Sequence, residues 1–179
     1  MEVPLALRPF ANQSRAEHAA VVVGGVLACL VGYVGGAVLL FSLGALDHGA
    51  PAGPRRAATV LASLACWGYY TAAFIRGKGG PLTSVLAYPF LTMSAVPFLF
   101  RWAVFGPDWD AVRSRIGFFL FNLDMIVDAV LTVVPGLAFS VTLITIWASV
   151  LGAEGAREWQ EKHLSMEFRE EFVEESDFE

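Results

Sequence analysis

Apolar and polar positions in this chain are sorted into long blocks rather than short alternations. An uncharged stretch runs from Ala19 to Leu46, a second from Ala57 to Ile75 and a third from Gly79 to Phe100. A fourth, from Ile116 to Ala153, is interrupted only by Asp124 and Asp128. A hydrocarbon core about 30 Å thick is crossed by about 20 apolar residues at 1.5 Å each. Each block reaches that length, and buried helices of soluble proteins seldom run so far without a charge. The pattern predicts an all-α, polytopic membrane protein whose first partner is the lipid bilayer. A cleaved signal peptide does not account for the first block, which exceeds an apolar signal core, follows both acidic and basic residues, and precedes further spans.

Local signals divide the blocks into elements. Residues 1–13 hold Pro4 and Pro9 and lack a helical period, so they form an irregular N-terminal segment. Ser14 and Glu17 have the spacing of a capping box and open the first helix. Within that helix Gly25, Cys29, Gly32 and Gly36 fall on one face and form a small-residue stripe, in which Gly32 and Gly36 make a G-x-x-x-G. Such a stripe lets a second helix approach closely in lipid, either within the chain or from another subunit. Pro51, Gly53 and Pro54 are expected to keep the next connection non-helical, with a second helix from about Ala57 to Ile75. Residues 76–81 make a tight turn, so helices two and three are antiparallel neighbours. The third helix carries Pro89 and Pro97, each a helix kink that frees the carbonyl one turn back, at Val85 and Met93. Thr92 and Ser94 are the expected replacements for the lost backbone donors.

The fourth block decides the topology. As one helix its 38 residues would extend about 57 Å, nearly twice the hydrocarbon thickness. Pro135-Gly136 at its midpoint predicts two short helices joined as a Pro-Gly hairpin, giving five transmembrane helices. Four spans are the alternative, with one long final helix. Five spans divide Lys and Arg eight against four between the two faces, and four spans divide them seven against five. The positive-inside rule thus favours five, with the N-terminus outside and the C-terminus cytoplasmic. Residues 14–152 form the bundle, and residues 153–179 form an acidic C-terminal tail.

Charge narrows the partners. The tail carries ten acidic side chains against Arg157, Lys162 and Arg169, so it accounts for −7 of a net −5 and leaves +2 for the rest. There is no basic face for nucleic acid. A homo-oligomer or a second membrane protein is the expected partner, in a cell membrane.

Asp124 and Asp128 are the costly residues. Four apart on one helix face, they would cost about 5–7 kcal/mol together if turned to lipid at the bilayer centre. They must meet protein or water, as packing groups or as a proton- or cation-binding pair with Arg101 or Arg115 as a countercharge. A D-x-x-x-D pair also occurs in intramembrane prenyltransferases, but those use a second such motif, which is missing here. Cys29 and Cys66 have no metal or redox spacing and read as small apolar packers. His18, His48 and His163 show no metal-ligand spacing, and no histidine sits mid-span to hold haem. Neither catalytic constellation nor cofactor site emerges. The expectation is a non-catalytic membrane subunit or scaffold, with a small proton- or cation-coupled transporter or channel as the alternative.

Overall fold

The computed structural model describes residues 14–43, 52–80, 82–107 and 123–163. The N-terminal segment, the first connection with His48, the Asp108–Asp110 loop and the tail beyond His163 lie outside them. So do the side chains of Arg101, Asp124 and Asp128. Among the described residues the fold is all-helical: α1 Arg15–Ser42, α2 Ala52–Ile75, α3 Tyr88–Phe105 and α4 Leu123–His163. By length and composition, four helices are apolar and long enough to cross a membrane.

The start of α1 is a reciprocal cap. The Ser14 N–H donates to Glu17 Oε2 at 2.9 Å, and the Glu17 N–H donates to Ser14 Oγ at 3.2 Å. Two of the first-turn donors that a helix cannot satisfy internally are thereby matched. The α2 helix starts earlier than its sequence suggests, at Ala52. Pro54 falls in the first turn, where the missing N–H has no intrahelical acceptor to lose. At its other end Lys78 N–H bonds the Ala73 carbonyl and Gly77 N–H bonds the Phe74 carbonyl, both at 2.8 Å. With Gly77 at φ 73°, this is a Schellman stop, and the left-handed residue is the one type without a Cβ penalty.

The break expected at Pro135-Gly136 does not occur. The α4 helix runs through both residues and on to Leu151. Proline in a long helix removes one hydrogen bond, whereas a turn inside hydrocarbon would leave several backbone groups unmatched. The break falls instead at Gly152, whose φ of 68° and ψ of 179° are not helical. Residues 153–163 form a separate helical arm beyond it.

At the centre of the bundle α2 packs against each of the other helices. Its interior face supplies Ala62, Cys66, Trp67, Tyr70 and Ala73, joined by Val21 and Cys29 of α1 and Met93 of α3. The outer faces of α1, α3 and α4 carry exposed Val23, Val31, Leu91, Val141 and Val150. That apolar exterior suits a bilayer rather than water. An ion pair of 3.8 Å joins Glu17 to Lys78, and His163 lies against Gly77. The start of α1, the α2–α3 turn and the end of α4 therefore share one end of the bundle. The five-span reading would separate Ser14 and His163 by the membrane.

Candidate functional site

The polar groups of the interior are concentrated along α2. Ser63, Trp67 and Thr71, one turn apart, meet Thr132, Gly136 and Ser140 of α4. Ser63 donates its hydroxyl proton to the Thr132 carbonyl, and Thr71 Oγ1 and Ser140 Oγ are 2.6 Å apart. Between them the Trp67 ring covers Gly136, where an added Cβ would overlap the indole and stand 2.6 Å from Ser63 Oγ. All three pairs have a sequence offset of 69, so α2 and α4 run parallel, ridge against ridge. Ser63, Trp67, Thr71 and Ser140 are fully buried.

The same indole serves α3. Trp67 Nε1 donates to the Val85 carbonyl at 3.0 Å. Pro89 takes away that carbonyl's ordinary backbone donor. Here residues Thr83–Ala87 widen into a π turn, with the Tyr88 N–H bonding Thr83 rather than a residue four back. Trp67 thus brings a side-chain donor to the carbonyl that Pro89 has freed. Thr92, one of the two residues expected to do it, pairs with the Tyr70 hydroxyl at 2.9 Å. Tyr70 also reaches the Val22 carbonyl of α1 at 3.5 Å. Pro97 lies inside α3 as a second interior proline.

The stripe of α1 turns toward α2. A Cβ on Gly25 would overlap the Tyr70 ring, one on Gly32 would stand 2.9 Å from the Ala62 Cα, and one on Gly36 3.4 Å from the Ala58 Cα. Cys29, in the same stripe, contributes a buried thiol that donates to Met93 Sδ at 3.4 Å. Cys66 lies opposite Cys29 in the same α1–α2 pairing, is likewise fully buried, and points its weak donor toward the Pro89 carbonyl at 3.9 Å. Sulfur atoms of α1, α2 and α3 thus converge.

Positions 101, 124 and 128 share the opposite end of the bundle from the Arg76–Gly80 turn, since α4 parallels α2 and α3 opposes it. Asp124 and Asp128 occupy the first turns of α4. Extending the offset of 69 sets position 128 level with Thr59 and position 124 level with position 55 of α2. Among the described residues no group of three His, Cys, Asp and Glu side chains is placed to hold a metal.

Beyond Gly152 the arm folds over the end of α2. Trp159 Nε1 donates to the Ile75 carbonyl at 2.7 Å, a helix-end acceptor, and its ring meets Phe74 and Trp147 with centroids 5.3 and 5.2 Å apart. The His163 ring lies tilted against Trp159, centroids 5.3 Å apart, and fills the space over Gly77. Sequence reading singled out neither this aromatic clasp nor the role of Trp67. The available signals were a tryptophan mid-span, where its N–H needs a partner, and a proline one helix away that exposes an acceptor.

Comparison with known proteins finds no matching family model, no matching curated protein and no matching solved structure.

Proposed function

We propose that the chain is a non-catalytic, multi-pass membrane subunit or scaffold that spans a cell membrane four times. The observation that carries this reading is the use of the interior polar groups. Ser63, Trp67, Tyr70 and Thr71 of the central helix each bond a neighbouring helix, so they hold helices together rather than line a path. The α4 helix is seated mainly along its α2 seam, and Val130, Val134, Val141, Ile146 and Val150 remain exposed along it. A long apolar helix held along one face suits lipid on some sides and a homo-oligomeric or heterologous partner on another.

With four spans, Arg8, Arg15, Arg76, Lys78, Arg157, Lys162 and Arg169 lie on one face, against five basic residues on the other. That division argues for a cytoplasmic N-terminus as well as a cytoplasmic tail. The transporter reading draws its support from Asp124 and Asp128. Their place level with positions 55 and 59, near the start of α2, argues for the edge of the bilayer, where a carboxylate costs little, and so favours the subunit.

The test is purification of the tagged full chain from its native membrane in mild detergent, followed by native mass determination. A stoichiometric second protein or a discrete homo-oligomer is expected. A lone monomer whose reconstituted vesicles carry a proton or cation flux, abolished by D124N/D128N, would overturn the reading.

A further inference from the structure

We propose that Cys29, Cys66 and Met93 form an intramembrane binding site for a soft monovalent cation, of which Cu(I) is the biological representative. Three sulfur atoms from three helices meet in the protein core. Cys29 Sγ is 3.4 Å from Met93 Sδ, and the antiparallel pairing that sets Gly25 against Tyr70 and Gly32 against Ala62 and Ala65 places Cys66 opposite Cys29. Cys29 and Cys66 are fully buried and Met93 is nearly so. Thiolate and thioether together select soft ions, whereas zinc takes four ligands from thiolate, imidazole and carboxylate.

The spacing is suitable. A three-coordinate ion with metal–sulfur bonds of about 2.3 Å, the length thiolates make to zinc, separates its sulfurs by about 4 Å. The Cys29–Met93 pair reaches that separation with a shift of about half an ångström, within side-chain rotation. The Cys66 thiol is held by a weak contact to the Pro89 carbonyl at 3.9 Å and is free to turn toward the ion.

Charge balance also favours a single positive charge. Metal-binding thiols must give up a proton. One Cu(I) enters, one thiol proton leaves to the solvent, and the core remains neutral, with a Cu–S bond replacing an S–H bond. The copper keeps its oxidation state, so no electron donor or acceptor is required. The second thiol stays protonated beside the first sulfur, and the Met93 thioether ligates without charge. An uncharged product matters where burial of an unpaired charge is prohibitive. This inference is independent of whether the chain acts as a subunit.

The experiment uses the full chain, reduced, in mild detergent under anaerobic conditions, with Cu(I) offered from a coloured chelator. The expected result is uptake of one ion per chain with release of one proton. X-ray absorption should show an all-sulfur shell without nitrogen. C29S and C66S should lose the ion, and M93L, which keeps the volume and apolar character of the core, should hold it more weakly. Zn(II) should not compete. Absence of uptake by the wild type would overturn the proposal, as would equal uptake by wild type and M93L. Formation of a Cys29–Cys66 disulfide in place of a copper adduct would do so too.

Discussion

The ring of Trp67 rests on the bare backbone of Gly136, and its N–H is committed to Val85 on a third helix. One side chain thereby fixes the distance between α2 and α4 and the match between α2 and α3. Gly136 is a notch for that ring, and the proline before it does not interrupt the helix.

A methyl group placed in the notch should be costly. Gly136→Ala must push back an indole and the Ser63 hydroxyl, so a loss of about 1–3 kcal/mol is expected from overpacking. Gly35, where an added Cβ meets nothing within 4 Å, is the matched control. Gly35→Ala should be neutral or stabilise by about 0.5–1 kcal/mol, because glycine weakens a helix interior. Thermal unfolding in a single detergent measures both, and equal effects would count against the notch.

The two polar seams on Trp67 and Thr71 should differ in worth. Trp67→Phe keeps most of the ring but strands a carbonyl that Pro89 has already deprived of its donor, a loss of about 1–3 kcal/mol. Thr71 and Ser140 bond each other, and interhelical hydrogen bonds in membranes average about 0.6 kcal/mol. A double-mutant cycle with Thr71→Val and Ser140→Ala should return a coupling of about that size. Should Trp67→Phe prove as mild as Thr71→Val, the Val85 carbonyl has another donor.

These contrasts explain what could be read from the sequence. The capping box of Ser14 and Glu17 was legible because both partners lie within one turn, and the membrane-length helices because block length alone carries the signal. Pro135-Gly136 was misleading, since the same dipeptide marks a turn in water and a kink or notch in lipid. The contact that decides between them comes from Trp67, 69 residues away. The sulfur cluster was invisible for the same reason. Spacing rules detect ligands on one loop or helix, whereas Cys29, Cys66 and Met93 each come from a different helix. Gly152 carried no sequence mark as a hinge, yet it sets where the arm turns back.

Docking of that arm should depend on pH through His163. Burial of its ring, with some repulsion from Lys162, holds its pKa below the ordinary value. The docked state therefore binds fewer protons than the released state. Docking is at full strength above the ordinary histidine pKa of about 6.5, and weakens as pH falls through that value toward the lower docked one. The difference in tryptophan emission between wild type and Trp159→Phe reports the clasp. It should fade on acidification from pH 7.5 to 5, and His163→Gln should flatten the profile. A clasp that tightens in acid would contradict the sign.

The placement of Glu17 and His163 has the widest consequence. Glu17 pairs with Lys78, and His163 covers Gly77, so the first turn of α1 and the last of α4 meet at the same α2–α3 turn. An odd number of spans would put those residues on opposite faces. Tags fused before residue 1 and after residue 179 should therefore be digested together, from the cytoplasmic side only, in sealed vesicles of known orientation. The basic residues make the same demand, since Arg8, Arg15, Arg76 and Lys78 then join the tail's cations on the inner face. Replacing Arg76 and Lys78 with Gln should lower the fraction of chains inserted in that orientation without altering helix content. Tags on opposite faces would mean that the contacts at Gly77 form in some state other than the inserted one, and the four-helix arrangement would have to be abandoned.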